Sequence, residues 1–328
     1  MFIEDLKFSL WCDFVERNFL DNQFVELIKS KTINGATSNP SIFKSAITTS
    51  KAYKDDIEKL KGKSAKEIYE ELAVKDIKKA AQKLLPLYEK GDDGFISIEV
   101  DPFFCDDANA TIEEGKRLFA KIDMPNVMIK VPATTSGYKA MEVLLGYGIN
   151  VNATLIFSTT QTKNCLEAFE KGNATFKGKI LPKAVISVFV SRFDRKLDAN
   201  LKELDLPTAK VGVYNALNVH DMIENYGLNN VRCLFASTGV KGDDLKPDYY
   251  IKELLCKNSI NTAPLDTIKY FVESNEDLNE VGKHKDMEEF FKTLDTNGID
   301  MKKTCDELME DGLISFKDAF KEILDVLK

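Results

Sequence analysis

Lys130 lies in Asn126-Val127-Met128-Ile129-Lys130-Val131-Pro132, a short apolar run that carries one ammonium group to the end of a β-like segment. A lysine so placed either snorkels its charge into water or gives the charge up, because losing solvation disfavours the ammonium form. In the second case the free amine attacks a ketone, and the protonated Schiff base that results is an electron sink. The bond between the carbons α and β to the imine then becomes breakable. Chemistry of this kind calls for no metal and no cofactor.

Asp13, Asn39, Glu99, Asn152, Thr154, Ser187 and Arg192 each close a comparable apolar run. Cleaving a ketose requires a base for the C4 hydroxyl, and Asp13, at the end of the first run, suits that task. Protons must also move as the carbinolamine forms and breaks, and Glu99 with Thr154 could hold the water that carries them. Taken singly, each of these residues is more often a strand-end cap or a solvent-facing residue. Asn39 and Asn152 offer neutral donors and acceptors to hydroxyl groups. Asn39-Pro40 is also turn-like, with Ser41 a candidate cap for a following helix.

Arg192, after Ile186-Ser187-Val188-Phe189-Val190-Ser191, can grip a phosphate with two donors. Ser237, Gly239 and Lys241 add a hydroxyl, an approachable backbone and a second cation. Arg232, earlier in the same run, competes with Lys241 for that role or pairs with a carboxylate at the opposite face. His220 and His284 lie on helical or polar stretches without a metal pattern and are expected at the surface.

Period-2 logic and length place the elements that must carry these side chains. Strands are expected over 8–12, 32–36, 95–100, 127–131, 149–156, 184–190 and 231–236, with a weaker eighth near 260–263. Asn152 and Thr154, two apart, share one face, as do Phe95, Ser97 and Glu99; Met128 then lies beneath Lys130. Helical patterns fall between the strands, over 65–89, 111–121, 137–145, 160–171 and 209–225. Such alternation implies parallel pairing through crossovers.

An open doubly wound sheet and a closed eight-stranded barrel both satisfy that order. Polar residues at nearly every strand end favour the (β/α)8 barrel, since an open sheet gathers its site at one switch point. No dinucleotide fingerprint or phosphate loop occurs in the sequence. One domain over 1–328 is expected, with a helical tail over 287–328 whose Phe316, Phe320, Ile323, Leu324 and Leu327 pack back onto the barrel and whose Gly312 separates two helices. The helical stretch 51–90 either covers the barrel mouth or braces its side. Asp295-Thr296-Asn297-Gly298 lacks the later carboxylate of a calcium loop, so no metal site is expected there.

A net charge of −8 over 328 residues argues against nucleic acid as a partner. The opening Met1-Phe2-Ile3-Glu4-Asp5 lacks a basic segment and a long apolar run, and no later stretch is long enough to span a bilayer, so a cytoplasmic protein without membrane attachment is expected. Six scattered cysteines without a Cys-x-x-Cys pair suit reduced core positions.

Gly35-Ala36-Thr37-Ser38-Asn39-Pro40-Ser41-Ile42-Phe43, Ser97-Ile98-Glu99-Val100-Asp101-Pro102, Val127 through Thr134, Asn152 through Ser158, Ile186 through Arg192 and Ala236 through Lys241 together resemble the transaldolase family, in its order and over essentially the whole chain. The Ser-Thr-Gly-Val-Lys form is similar to a longer bacterial subgroup. Two features depart from better-known relatives. Leu10-Trp11-Cys12 before Asp13 is bulkier, and Ser237-Thr238-Gly239 stands where a serine-phenylalanine-arginine run supplies a second phosphate-binding arginine.

The resemblance implies a single (β/α)8 barrel with Lys130 as Schiff-base nucleophile, Asp13 as acid/base for carbon–carbon cleavage, and Glu99 with Thr154 as proton relay. Asn39, Asn152 and Ser187 would bind the three-carbon unit and Arg192 the phosphate. The implied substrates are phosphorylated ketoses and aldoses: dihydroxyacetone passes from sedoheptulose 7-phosphate to glyceraldehyde 3-phosphate. A fructose 6-phosphate aldolase would use the same lysine but release dihydroxyacetone, and the small aldolases resemble a version with glutamine where Glu99 stands. A sugar-phosphate-binding barrel with an inert lysine is the remaining alternative.

Overall fold

The computed structural model describes residues 2–274, 278–282 and 286–328. Eight parallel strands close into a barrel in sequence order: β1 (Ser9–Cys12), β2 (Gly35–Ala36), β3 (Ile96–Glu99), β4 (Val127–Pro132), β5 (Asn150–Ile156), β6 (Ala184–Phe189), β7 (Val231–Ala236) and β8 (Ser259–Ala263), which returns to β1. All but one of the strand residues are buried, the exception being Arg232. Strands buried on both faces explain why the runs are apolar throughout rather than alternating.

The expected strands are present; most of their ends shift by a residue, and β2 is much the most shortened. β2 pairs only through Gly35 and Ala36, because Trp11 on β1 fills the space beside it. A Cβ on Gly35 would lie 2.5 Å from the indole ring. β8 begins one residue earlier than its apolar pattern suggests. Its Asn261 and Thr262 bond to Thr238 (2.8 Å) and Thr37 (2.7 Å), so polar side chains sit where a strand signal would have been apolar.

Register fixes the site. Glu99 pairs with Lys130 across β3 and β4, and Lys130 pairs with Asn152 across β4 and β5. Three neighbouring strands therefore present these side chains at one level of the barrel. Beyond Thr154 the β5–β6 register shifts, with Leu155 in the left-handed region at φ 58°. A branched residue there is strained, and such a bulge re-aims the chain beside it.

The helix Ala65–Glu89 is the crossover from β2 to β3, begun by a capping box between Ser64 and Glu67. It braces the barrel, its Tyr69 packing edge-on against Phe43 and Phe320 at 5.8 and 5.0 Å between ring centres. At the C-terminus the helices Met287–Thr296 and Met301–Val326 are divided at Gly298 (φ +80°), with Asp300 capping the second through the Lys303 amide. The expectation that Gly312 separates two helices is corrected: it lies within an unbroken helix. The approach there is close: a Cβ would come within 2.9 Å of Leu155 Cδ2 and 3.3 Å of Arg192 Nη1, so those side-chain ends would have to shift. All six cysteines are buried and unpaired. Among the described residues no helix is long and apolar enough to cross a membrane.

Candidate active site

Lys130 is 5% exposed at the C-terminal half of β4. Its Nζ donates to the Ser38 carbonyl at 3.2 Å and lies 3.8 Å from Glu99 Oε2, an ion contact longer than a hydrogen bond. Among the described residues neither oxygen of Glu99 has a hydrogen-bond partner, and neither does Thr154 Oγ1. Buried polar atoms are normally paired, so unpartnered carboxyl oxygens beside a buried lysine make this a candidate place for reacting groups. Burial pushes the Glu99 carboxyl up to about 7, helped by the charge of Asp13 and opposed by Lys130. A carboxyl at that value gives and takes protons readily near neutral pH.

Asp13 follows β1 and accepts from Thr37 Oγ1 at 2.6 Å; Thr37 is bonded in turn to Thr262 on β8. Burial raises its carboxyl above the ordinary range, with Lys130 and the Thr37 hydroxyl pulling the other way. Asn152 is wholly buried and fixed on both sides. Its amide nitrogen donates to Ser97 Oγ at 3.0 Å, and its carbonyl accepts from Ser187 Oγ at 2.6 Å. Asn39 caps the helix Pro40–Thr49, its Oδ1 accepting from the Ile42 amide at 3.0 Å with Pro40 at the first helical position. Asn39 therefore has the capping role that the sequence offered to Ser41.

Arg192 opens the helix Ser191–Glu203 directly after β6 and lies over the Phe189 ring at 5.1 Å. No carboxylate pairs with it among the described residues. Burial first, then the charge of Arg195, holds the guanidinium below its usual value, with Asp311 opposing. An unpaired, half-buried cation of this kind is a receptor for an anion. Ser237, in the left-handed region at φ 56°, shares a 3.0 Å hydroxyl contact with Ser191.

Two expectations are corrected, for Arg232 and His220. Arg232 is not at this end of the barrel: on the second residue of β7, it bonds Asp93 at 2.6 Å, the Lys7 and Ser259 carbonyls at 2.8 Å and Ser9. It clasps the N-terminal rim, which is the carboxylate pairing the sequence left as its other option. Lys241 is exposed in the loop after β7. His220 is not at the surface but 8% exposed, bonded to the Lys257 carbonyl at 2.8 Å and packed on Phe235. His284 lies outside the described residues.

Thr37, Ser38, Ser97, Thr262 and Phe316 were missed as site residues. Thr37 and Ser38 adjoin Asn39, and Ser97 shares the Glu99 face, so period-2 extension could have found Ser97. Phe316 sits in a helical stripe that looks like any core-facing helix. Its ring centre lies 5.9 Å from Lys130 Nζ.

The sequence model of the Transaldolase/Fructose-6-phosphate aldolase family matches residues 10–327. A transaldolase of Campylobacter jejuni subsp. jejuni serotype O:23/36 (strain 81-176) is 49% identical, covering 98% of this chain and 99% of its own. A transaldolase of Helicobacter pylori (strain P12) is 47% identical over 97% of this chain and 98% of its own. Nearly end-to-end similarity at that level, over a barrel with a buried lysine on its fourth strand, leaves one assignment: the chain belongs to the transaldolase/fructose-6-phosphate aldolase family.

Proposed function

We infer that the protein is a transaldolase of the non-oxidative pentose phosphate pathway, transferring dihydroxyacetone from sedoheptulose 7-phosphate to glyceraldehyde 3-phosphate. The Lys130 amine attacks C2 of the ketose, and the carbinolamine loses water to give the iminium. Glu99, assisted by Thr154, moves protons to and from the departing and attacking oxygen. Asp13 takes the C4 hydroxyl proton, the C3–C4 bond breaks, and erythrose 4-phosphate leaves. The enamine that remains on Lys130 attacks the aldehyde carbon of glyceraldehyde 3-phosphate, whose oxygen takes a proton from Asp13. Hydrolysis then frees fructose 6-phosphate and the amine. Asn39, Asn152 and Ser187 hold the hydroxyls of the three-carbon unit, and Arg192 with Ser237 binds phosphate. Phosphorylated sugars are cytoplasmic metabolites, and the cytoplasm is where we place the reaction. With a net charge of −8 the protein offers nucleic acid no general attraction.

The observation that carries this reading is the buried Lys130 facing a Glu99 carboxylate that has no hydrogen-bond partner among the described residues. Its test is to incubate the protein with fructose 6-phosphate, with and without erythrose 4-phosphate, and to reduce with borohydride. A three-carbon adduct on the peptide containing Lys130, and turnover that needs the acceptor, are expected. Rapid dihydroxyacetone release without acceptor makes the enzyme an aldolase instead. Sugar binding without any adduct makes it a binding protein.

Arg192→Ala separates recognition from chemistry. Charge-assisted hydrogen bonds contribute about 1.5–3 kcal/mol, so KM for fructose 6-phosphate should rise about 10- to 100-fold while kcat changes less. Steady-state kinetics on phosphorylated substrates check this. An unchanged KM would move the phosphate site elsewhere.

A further inference from the structure

The helix Met301–Val326 runs along the mouth of the barrel as one unbroken element. Cys305 Sγ donates to the Phe157 carbonyl at 3.1 Å, just beyond the end of β5. Gly312 lies against Leu155 and Arg192, Phe316 faces Lys130, and Phe320 meets Tyr69 and Phe103 edge-on. Ion pairs hold the two sides, Lys196 to Glu307 at 3.0 Å and Lys44 to Glu322 at 2.5 Å. Gly312, Phe316 and Phe320 repeat at four residues and so share one face. The absent side chain at Gly312 lets the helix come close enough for the ring one turn later, 4% exposed, to reach the lysine.

Building on the transaldolase reading, we propose that Phe316 is a specificity-determining residue, which keeps bulk water off the three-carbon fragment carried by Lys130 and so favours transfer over release. After the first aldehyde has left, the enamine has two fates. It can attack an acceptor aldehyde, forming a new carbon–carbon bond. Alternatively its nucleophilic carbon takes a proton, and water adds to the resulting iminium carbon. The carbinolamine then expels the lysine amine, and one water has been consumed for each dihydroxyacetone released.

Both fates end with hydrolysis of a Schiff base, which the Glu99 and Thr154 side of the lysine serves. They differ in whether the fragment is protonated before an acceptor arrives, and that depends on water reaching its carbon. An aromatic wall over the lysine withholds that water while leaving the polar side intact. Removing the ring would leave a space on the Phe316 side of Lys130, and a space beside that polar group can fill with water.

The experiment measures one ratio, dihydroxyacetone released to sedoheptulose 7-phosphate formed, from fructose 6-phosphate and erythrose 4-phosphate in a single reaction. A ratio taken within one preparation does not depend on how much of it is folded. In Phe316→Ala the ratio should rise about ten-fold as water enters the vacated space, while Phe316→Leu, which keeps most of the volume, stays near the parent value. If Phe316→Ala is inactive, Phe316→Val is read on the same ratio. An unchanged ratio in an active small-side-chain variant overturns the proposal. Borohydride trapping of the parent protein distinguishes the two levels, because a missing Lys130 adduct there defeats the transaldolase reading itself.

Discussion

Lys130→Met is expected to abolish the borohydride adduct and to lower kcat/KM by about 10⁴-fold or more, since the covalent route disappears with its nucleophile. Methionine fills nearly the same volume, and the site is otherwise tied together without the amine: Asp13 to Thr37, Asn152 to Ser97 and Ser187. The variant should fold with an unchanged far-ultraviolet circular dichroism spectrum. It should also alter its neighbours in a defined direction. Lys130 is the group that pulls the Glu99 carboxyl down against burial, and it pulls Asp13 down as well. Without it both carboxyls titrate higher, which a carbon-13 NMR titration of labelled glutamate and aspartate reads directly. Residual transfer within about ten-fold of the parent would be fatal to the mechanism, because a barrier change of ~1.4 kcal/mol is far less than loss of a covalent intermediate should cause.

The residues proposed to carry this chemistry were legible because parallel barrel strands concentrate apolar residues, against which polar ones stand out. Lys130, Glu99, Asn152 and Ser187 stood out against such runs, and pairing of Glu99 with Lys130 and Lys130 with Asn152 brings them to one level. What stayed hidden depends on contacts distant in sequence. Thr37 and Thr262 are 225 residues apart, and only barrel closure makes them partners in holding Asp13. Arg232 follows strand logic as well as Arg192 does, and which rim it occupies is decided by Asp93 and the carbonyls of β1 and β8. Gly312 looked like a helix break because propensity disfavours glycine within a helix, yet tertiary packing against Leu155 outweighs that preference. Phe316 could not be told from its neighbours Phe320 and Ile323, as a 3.6-residue period shows which face is inward but not what lies opposite it.

Glu99→Gln should lower activity by about 10²- to 10³-fold, the usual weight of one proton-transfer group, while making the folded protein less sensitive to pH. The two effects have one origin. In the folded protein burial holds the Glu99 proton up to about 7, whereas an unfolded chain releases it near ~4.3. Between those values the folded state binds more protons than the unfolded state, so stability is full below the unfolded value and is lost as pH rises toward about 7. Asp13 shifts in the same direction and contributes the same sign in both proteins. The difference between parent and variant therefore isolates Glu99. Thermal unfolding followed from about pH 5 to about pH 8 should show Tm falling more steeply in the parent, with the variant the more stable of the two at the upper end. Glutamine keeps the shape of the side chain but can neither ionise nor relay a proton, so it removes the electrostatic burden together with the chemistry. Parallel Tm curves would mean that Glu99 does not carry a raised proton affinity in the free enzyme. Retained activity in the variant would assign the proton relay to Asp13 and Thr154 alone.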